Sequence, residues 1–155
     1  MTAPANNPAL EKQIKSGADW FFWIAGLSLV NTFIGMGGGG IQFAIGLGIT
    51  QFIDALISKG GAAGIIGTAF SVLIAGMFIL FGVFARKKQA WSFMTGMVLY
   101  ALDGLLLVLL SVLAGSGGLI LSIGFHGFAL YCIFMGMRAN TQLKALEQGV
   151  VPVVR

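Results

Sequence analysis

Five long apolar stretches, at residues 20–36, 41–58, 64–85, 91–115 and 119–137, occupy most of this chain. A membrane span takes about 20 apolar residues, within a range of roughly 17–25, and every stretch falls near that length. They cannot all be hidden in a soluble fold. Only 9% of the 155 residues are charged, against about 25% in ordinary soluble domains. A lone soluble domain, a disordered tail and a nucleic-acid binder are therefore excluded, despite a formal net charge of +4. Lipid offers main-chain N–H and C=O groups no partner, so spanning segments are helices or closed barrels. No strand-like alternation is visible, and the fold class is all-α membrane protein.

The second stretch differs from the others. Within IQFAIGLGITQFIDALIS, Gln51, Asp54 and Ser58 recur at helical spacing and form one polar stripe. Four glycines at 37–40 precede it as a flexible breaker. If all five stretches span, Arg86, Lys87, Lys88, Arg138, Lys144 and Arg155 lie inside, with Lys12, Lys15 and Lys59 outside. If the second stretch stays at the outer face, only Lys59 is outside. The positive-inside rule selects the latter arrangement.

The expected architecture is a four-transmembrane-helix bundle with spans at about 19–36, 64–85, 91–115 and 119–138. A re-entrant or interfacial amphipathic helix over about 41–58 lies between the first two. Residues 139–155 form a cytoplasmic tail, helical from Asn140 to about Gln148 and ended by Gly149 and Pro152. Residues 9–16 form a short surface helix, and Asp19 sits at the start of the first span, where an acid suits the helix dipole. Both termini are cytoplasmic, with Trp20, Trp23 and Trp91 at that interface. Arg86, Lys87 and Lys88 are placed to contact anionic lipid headgroups.

Helices in lipid gain nothing by burying apolar surface against one another, so small residues that permit close approach hold them together. The third stretch carries Gly64, Gly67, Ser71, Ala75 and Gly82 at roughly helical spacing. The fourth has Ser92, Gly96 and Gly104 with Tyr100 among them, and the last has Gly124, Gly127 and Gly136. These faces serve packing within the chain, or association with a second copy or another membrane subunit.

Ionisable residues in mid-membrane are functional candidates by default. Asp103 lies roughly 18–20 Å from the cytoplasmic end of its span by helical rise, and His126 on the returning helix reaches a similar depth. Asn31 and Ser71 do the same, so one polar layer of Asn31, Ser71, Asp103 and His126 is expected. Three uses remain open. The layer fixes helix register; or Asp103 and His126 form a proton-responsive pair or a site for an ion or polar solute; or His126 is the axial ligand of a haem or chlorophyll-type pigment, with Gly124 and Gly127 leaving room for the macrocycle. One His and one Cys (Cys132) exclude a zinc site built from this chain alone.

No catalytic arrangement is visible. Ser122 precedes His126 by one helical turn without a nucleophile elbow. The 37–40 glycines lack the preceding strand and following Lys-Ser/Thr of a phosphate loop. Four strings, ADWFFWIAGLSLVN (18–31), GLGITQFIDAL (46–56), GMVLYALDGLL (96–106) and FHGFALYC (125–132), resemble a group of small bacterial multi-span inner-membrane proteins without an assigned activity. The resemblance implies a bacterial inner-membrane protein and carries no site residues. The functional expectation is a non-catalytic structural or accessory subunit of a membrane complex, with a small transporter or channel-like protein as the alternative and a pigment-binding subunit as the lesser one.

Overall fold

A computed structural model describes residues 7–36, 49, 62–113 and 119–149. They form four α-helices: α1 (Pro8–Met36), α2 (Ala62–Arg86), α3 (Ala90–Leu113) and α4 (Leu119–Glu147). All four are long and apolar enough to cross a membrane, in agreement with the four expected spans. Apart from Ile49, the helix expected over 41–58 lies outside the described residues.

Two boundaries differ from the sequence expectation. The surface helix at 9–16 and the first span are a single helix of 29 residues. Its start is set by Asn7, whose side-chain Oδ1 accepts the Leu10 N–H at 3.3 Å, with Pro8 in the first helical position, where its missing N–H is harmless. Asp19 is thus well inside α1 and pairs with Arg86 at 2.6 Å instead of capping a helix. At the other end of the chain, the helix expected from Asn140 is the final part of α4 itself. At 29 residues, α4 is about 43 Å long, more than the roughly 30 Å hydrocarbon core, so its polar turns project beyond the lipid.

Contacts at one end fix the directions of the helices. Lys88, just beyond α2, pairs with Glu11 in the first turn of α1 at 2.8 Å. The Asn140 side-chain amide in α4 donates to the Lys88 carbonyl at 3.1 Å. The starts of α1 and α3 and the ends of α2 and α4 therefore share one end, and the helices run alternately up and down. Lys12, Lys15, Arg86, Lys87, Lys88, Arg138 and Lys144 all lie toward that end, while Met36 and Ala62 lie at the other. α1 packs against α2 and α4, and α3 completes the square against α4 and, less extensively, α2.

The interior is built on one aromatic side chain and a few bare backbones. Phe21, fully buried, meets the rings of Phe78, Phe81 and Phe93 with centroids 6.1–6.3 Å away. Gly96 makes room for it: a Cβ there would lie 2.5 Å from the Phe21 ring. Where α1 crosses α4, a Cβ on Gly17 would lie 2.6 Å from the Gly136 Cα, so the two main chains touch. Such close approach lets dispersion hold helices that have no hydrophobic drive to associate in lipid.

The small-residue faces expected on α2 and α3 point inward, with Gly67, Ser71, Ala75, Gly82, Ser92, Gly96 and Tyr100 all buried. The α4 set divides. Gly136 is in the core, whereas Gly124 and Gly127 are exposed with open space over both. At 3.6 residues per turn, positions 127 and 136 lie on opposite sides of a helix, so they cannot form one face. The remaining outer surface is apolar, with Ile65, Leu73, Leu80, Leu105, Leu109 and Leu121 exposed. This is what helices facing hydrocarbon present.

Candidate functional site

The polar layer lies in the middle of the bundle. Counting helical rise from the Asp19–Arg86 and Asn140–Lys88 contacts, Asn31, Ser71, Asp103 and His126 each fall about 18–23 Å from the charged end. All four are buried, as are Ser28, Thr32 and Ser122. Asn31 and Ser71 are each engaged by a neighbour. Ser28 directs its hydroxyl back to the Ile24 carbonyl at 2.9 Å, satisfying the group within its own helix.

Asp103 and His126 are brought into direct contact, with Nε2 and Oδ2 3.1 Å apart. Their side chains are 6% and 5% exposed, so neither is wetted. α3 presents Tyr100, Asp103, Gly104 and Leu107 on one face, at offsets of three, four and seven residues. Gly104 lets the imidazole approach, since a Cβ there would lie 3.2 Å from the His126 Cδ2. Tyr100 covers the imidazole in a parallel stack, with centroids 4.5 Å apart and planes 10° apart. On its other side Tyr100 meets Phe78 edge-on at 6.1 Å.

The remaining bonds define the proton count of the pair. His126 Nδ1 lies 2.9 Å from the Ser122 carbonyl. A carbonyl only accepts, so Nδ1 carries a hydrogen. The contact from Nε2 to Oδ2 then needs a second proton, on either the ring or the carboxyl. Imidazolium with carboxylate, and imidazole with carboxylic acid, both satisfy it, and both are net neutral. The other carboxyl oxygen, Oδ1, accepts the main-chain N–H of Ile49 at 2.8 Å. Asp103 thus joins α3, α4 and the chain between α1 and α2. Neutrality and complete hydrogen bonding make such a pair tolerable in a dry interior.

Both ring nitrogens of His126 are occupied in this arrangement. Gly124 and Gly127, which the sequence placed beside the ring as room for a macrocycle, open outward instead. Among the described residues, no cluster of three or more His, Cys, Asp or Glu side chains is arranged to hold a metal ion. One polar atom of the site is unmatched: the Tyr100 hydroxyl is fully buried and has no hydrogen-bond partner among the described residues.

Several of these participants carry little sequence signal. Tyr100 was visible among the small residues of its span, and Ser122 as one turn before His126. Ser122 serves through its carbonyl, however, and Ile49 through its N–H, and main-chain groups have no residue-type signature. At the charged end, Arg86 pairs with Asp19 and lies over the Phe22 ring at 4.6 Å. Lys87 extends over Phe84 at 5.7 Å, and Lys88 reaches Glu11. No protein-family model, curated protein or solved structure matches the chain.

Proposed function

We propose that this chain is a non-catalytic structural or accessory subunit of a bacterial inner-membrane complex, docking another membrane helix on the outer face of α4. The observation that carries this reading is the division among its glycines. Gly17, Gly82, Gly96, Gly104 and Gly136 are each filled by a neighbour inside the bundle; Gly26, Gly76, Gly124 and Gly127 have open space over them, and of these four Gly124 and Gly127 alone lie one turn apart on a single helix. Glycine exposed to lipid lowers helix propensity by about 1 kcal/mol against alanine and gains nothing unless a second backbone approaches it. Leu121, Phe128 and Tyr131 flank the gap as exposed side chains. The helix that docks there belongs to a second copy or to a different subunit.

The polar centre belongs to the same reading as a clasp that sets helix rotation and register. Ile49 at the middle of the 41–58 stretch bonds to Asp103, while Met36 and Ala62 lie at one end of the bundle. This supports a re-entrant path for the stretch over one lying flat at the surface. Cations gathered at the opposite end support cytoplasmic termini by the positive-inside rule.

Gly124→Leu and Gly127→Leu should leave the monomer melting as the wild type does, because nothing lies within 4 Å of either. They should abolish co-purification of the partner, or the oligomer, in mild detergent. A wild-type chain that is strictly monomeric and retains no partner would remove the basis of this reading.

A second reading is favoured by the extra proton on the Asp103–His126 pair and the unmatched Tyr100 hydroxyl. Here the pair, with Asn31, moves protons or a polar solute. Proton flux in liposomes that disappears with Asp103→Asn would support it; a wild type with no flux would sink it. Haem or a chlorophyll-type pigment on His126 would have to displace Asp103 or Ser122 from the ring, and a purified protein with no visible absorption bands would dismiss it.

A further inference from the structure

The end of α2 contains a residue that helix geometry disfavours. The Lys88 N–H donates to the Ala85 carbonyl at 2.9 Å, and the Gln89 N–H donates to the Phe84 carbonyl at 3.1 Å. These are the two bonds of a Schellman termination, in which one residue adopts the left-handed conformation and is usually glycine. At the end of α4 the chain places Gly149 in that conformation, at φ 71°. At the end of α2 the residue is Lys88, at φ 61°. A lysine there is strained where glycine would not be, and an observed strain of this kind points toward a use for the side chain.

The use suggested by the surroundings is electrostatic. Lys88 lines a surface cavity of about 240 Å³ together with Glu11, Ile14, Lys15 and Arg86. Lys15, Arg86 and Lys88 face Glu11 in the lining and Asp19 behind Arg86, which leaves the site one positive charge in excess. The cations are also held in place. Arg86 reaches Asp19 Oδ1 through Nε at 2.7 Å and Nη2 at 2.6 Å, which leaves its other nitrogen available. The Lys88 ammonium donates to Glu11 Oε1 at 2.8 Å, and two of its three hydrogens remain. Asn140 secures the Lys88 carbonyl from α4. Lys87, by contrast, is turned to Phe84 and does not line the cavity.

We propose that this cavity binds the phosphate group of an anionic phospholipid headgroup from the leaflet at the charged end, with Lys15, Arg86 and Lys88 as its donors. Basic pockets between transmembrane helices recognise such headgroups by charge and hydrogen bonding. The site is independent of the α4 docking face, so failure of one leaves the other standing.

The test is lipid binding by the purified full chain in detergent, with phosphatidylglycerol against phosphatidylcholine, read by native mass spectrometry and by melting temperature. The charged lipid should bind more tightly and raise the melting temperature. Lys15→Gln and Lys88→Gly should each weaken it about fivefold, the factor corresponding to one near-surface cation. Lys87→Gln should not. Without lipid, Lys88→Gly should melt at or above the wild-type temperature, which separates loss of binding from loss of fold. Equal binding of the two lipids, or unchanged binding in Lys15→Gln and Lys88→Gly, overturns the proposal. An equal loss in Lys87→Gln also overturns it, by showing diffuse surface charge. Inorganic phosphate that protects as well as phosphatidylglycerol overturns the lipid assignment in favour of a soluble phosphate compound.

Discussion

Asp103→Val should be among the most destabilising single substitutions in this chain, and adding His126→Leu should recover part of the loss. The valine leaves the Ile49 N–H and His126 Nε2 without their partner. Removing one member of a buried charged pair costs about 3–5 kcal/mol in soluble proteins, whereas interhelical polar bonds in membranes average only about 0.6 kcal/mol. A neutral imidazole keeps the bond to Ser122 and leaves no unpaired charge, which argues for a value between these, about 2–3 kcal/mol. The double variant has no orphaned imidazole, so its loss should be smaller than that of the single. Unfolding by denaturing detergent in mixed micelles measures both. A double-variant loss equal to the sum of the two singles would mean the side chains do not act as a unit.

Asp103→Asn separates the two functional readings. Its amide oxygen can still accept from Ile49, and its NH₂ can donate to Nε2 of a neutral imidazole, which keeps Nδ1–H on Ser122. The bonds to Ile49, His126 and Ser122 survive, and the carboxyl group is lost. A clasp retains nearly wild-type stability with this change, while a proton carrier stops working.

Gly17→Ala should be comparably damaging although it adds one methyl group. That methyl would meet the Gly136 Cα at 2.6 Å and the Cys132 carbonyl oxygen at 3.0 Å. Both are main chain, so no rotamer change relieves the clash and α1 must move away from α4. We expect a loss of about 3 kcal/mol, the upper part of the range for overpacking, after any gain in helix propensity. Gly136→Ala should behave alike, since its Cβ would lie 2.7 Å from the Gly17 Cα. Gly26→Ala, with nothing within 4 Å, should be neutral or slightly stabilising in the same titration. If Gly17→Ala and Gly26→Ala unfold alike, the two helices do not meet at Gly17.

The spans and the central pair were legible in the sequence for different reasons. Spans follow from hydropathy and from the positions of a few charges, and Asp103 and His126 from counting helical rise on two antiparallel helices. The extents of α1 and α4 were not legible by the same means. Hydropathy falls before Asp19 and after Arg138, but main-chain hydrogen bonding is indifferent to that fall. With only Gly17 between Pro8 and Asp19, and no Pro or Gly between Arg138 and Gly149, the helices continue. The α4 glycines were misgrouped because their spacing resembles a ladder, while nine residues turn a helix to its opposite side. Lys88 was legible as a charge but not as a left-handed residue, because glycine is the usual marker of that conformation.

The contact between Gly17 and Gly136 also bears on how the protein is made. It joins the first helix to the last, so nothing shorter than nearly the whole chain can close the bundle. At synthesis rates of about 5–20 residues per second, α1 waits on the order of ten seconds for residue 136 to emerge. During that interval the groove at Gly17, shaped to receive a bare backbone, is unfilled and open to any small-residue helix nearby. A chain stopped before α4 keeps that groove permanently, and is the form of this protein most prone to pair with the wrong neighbour.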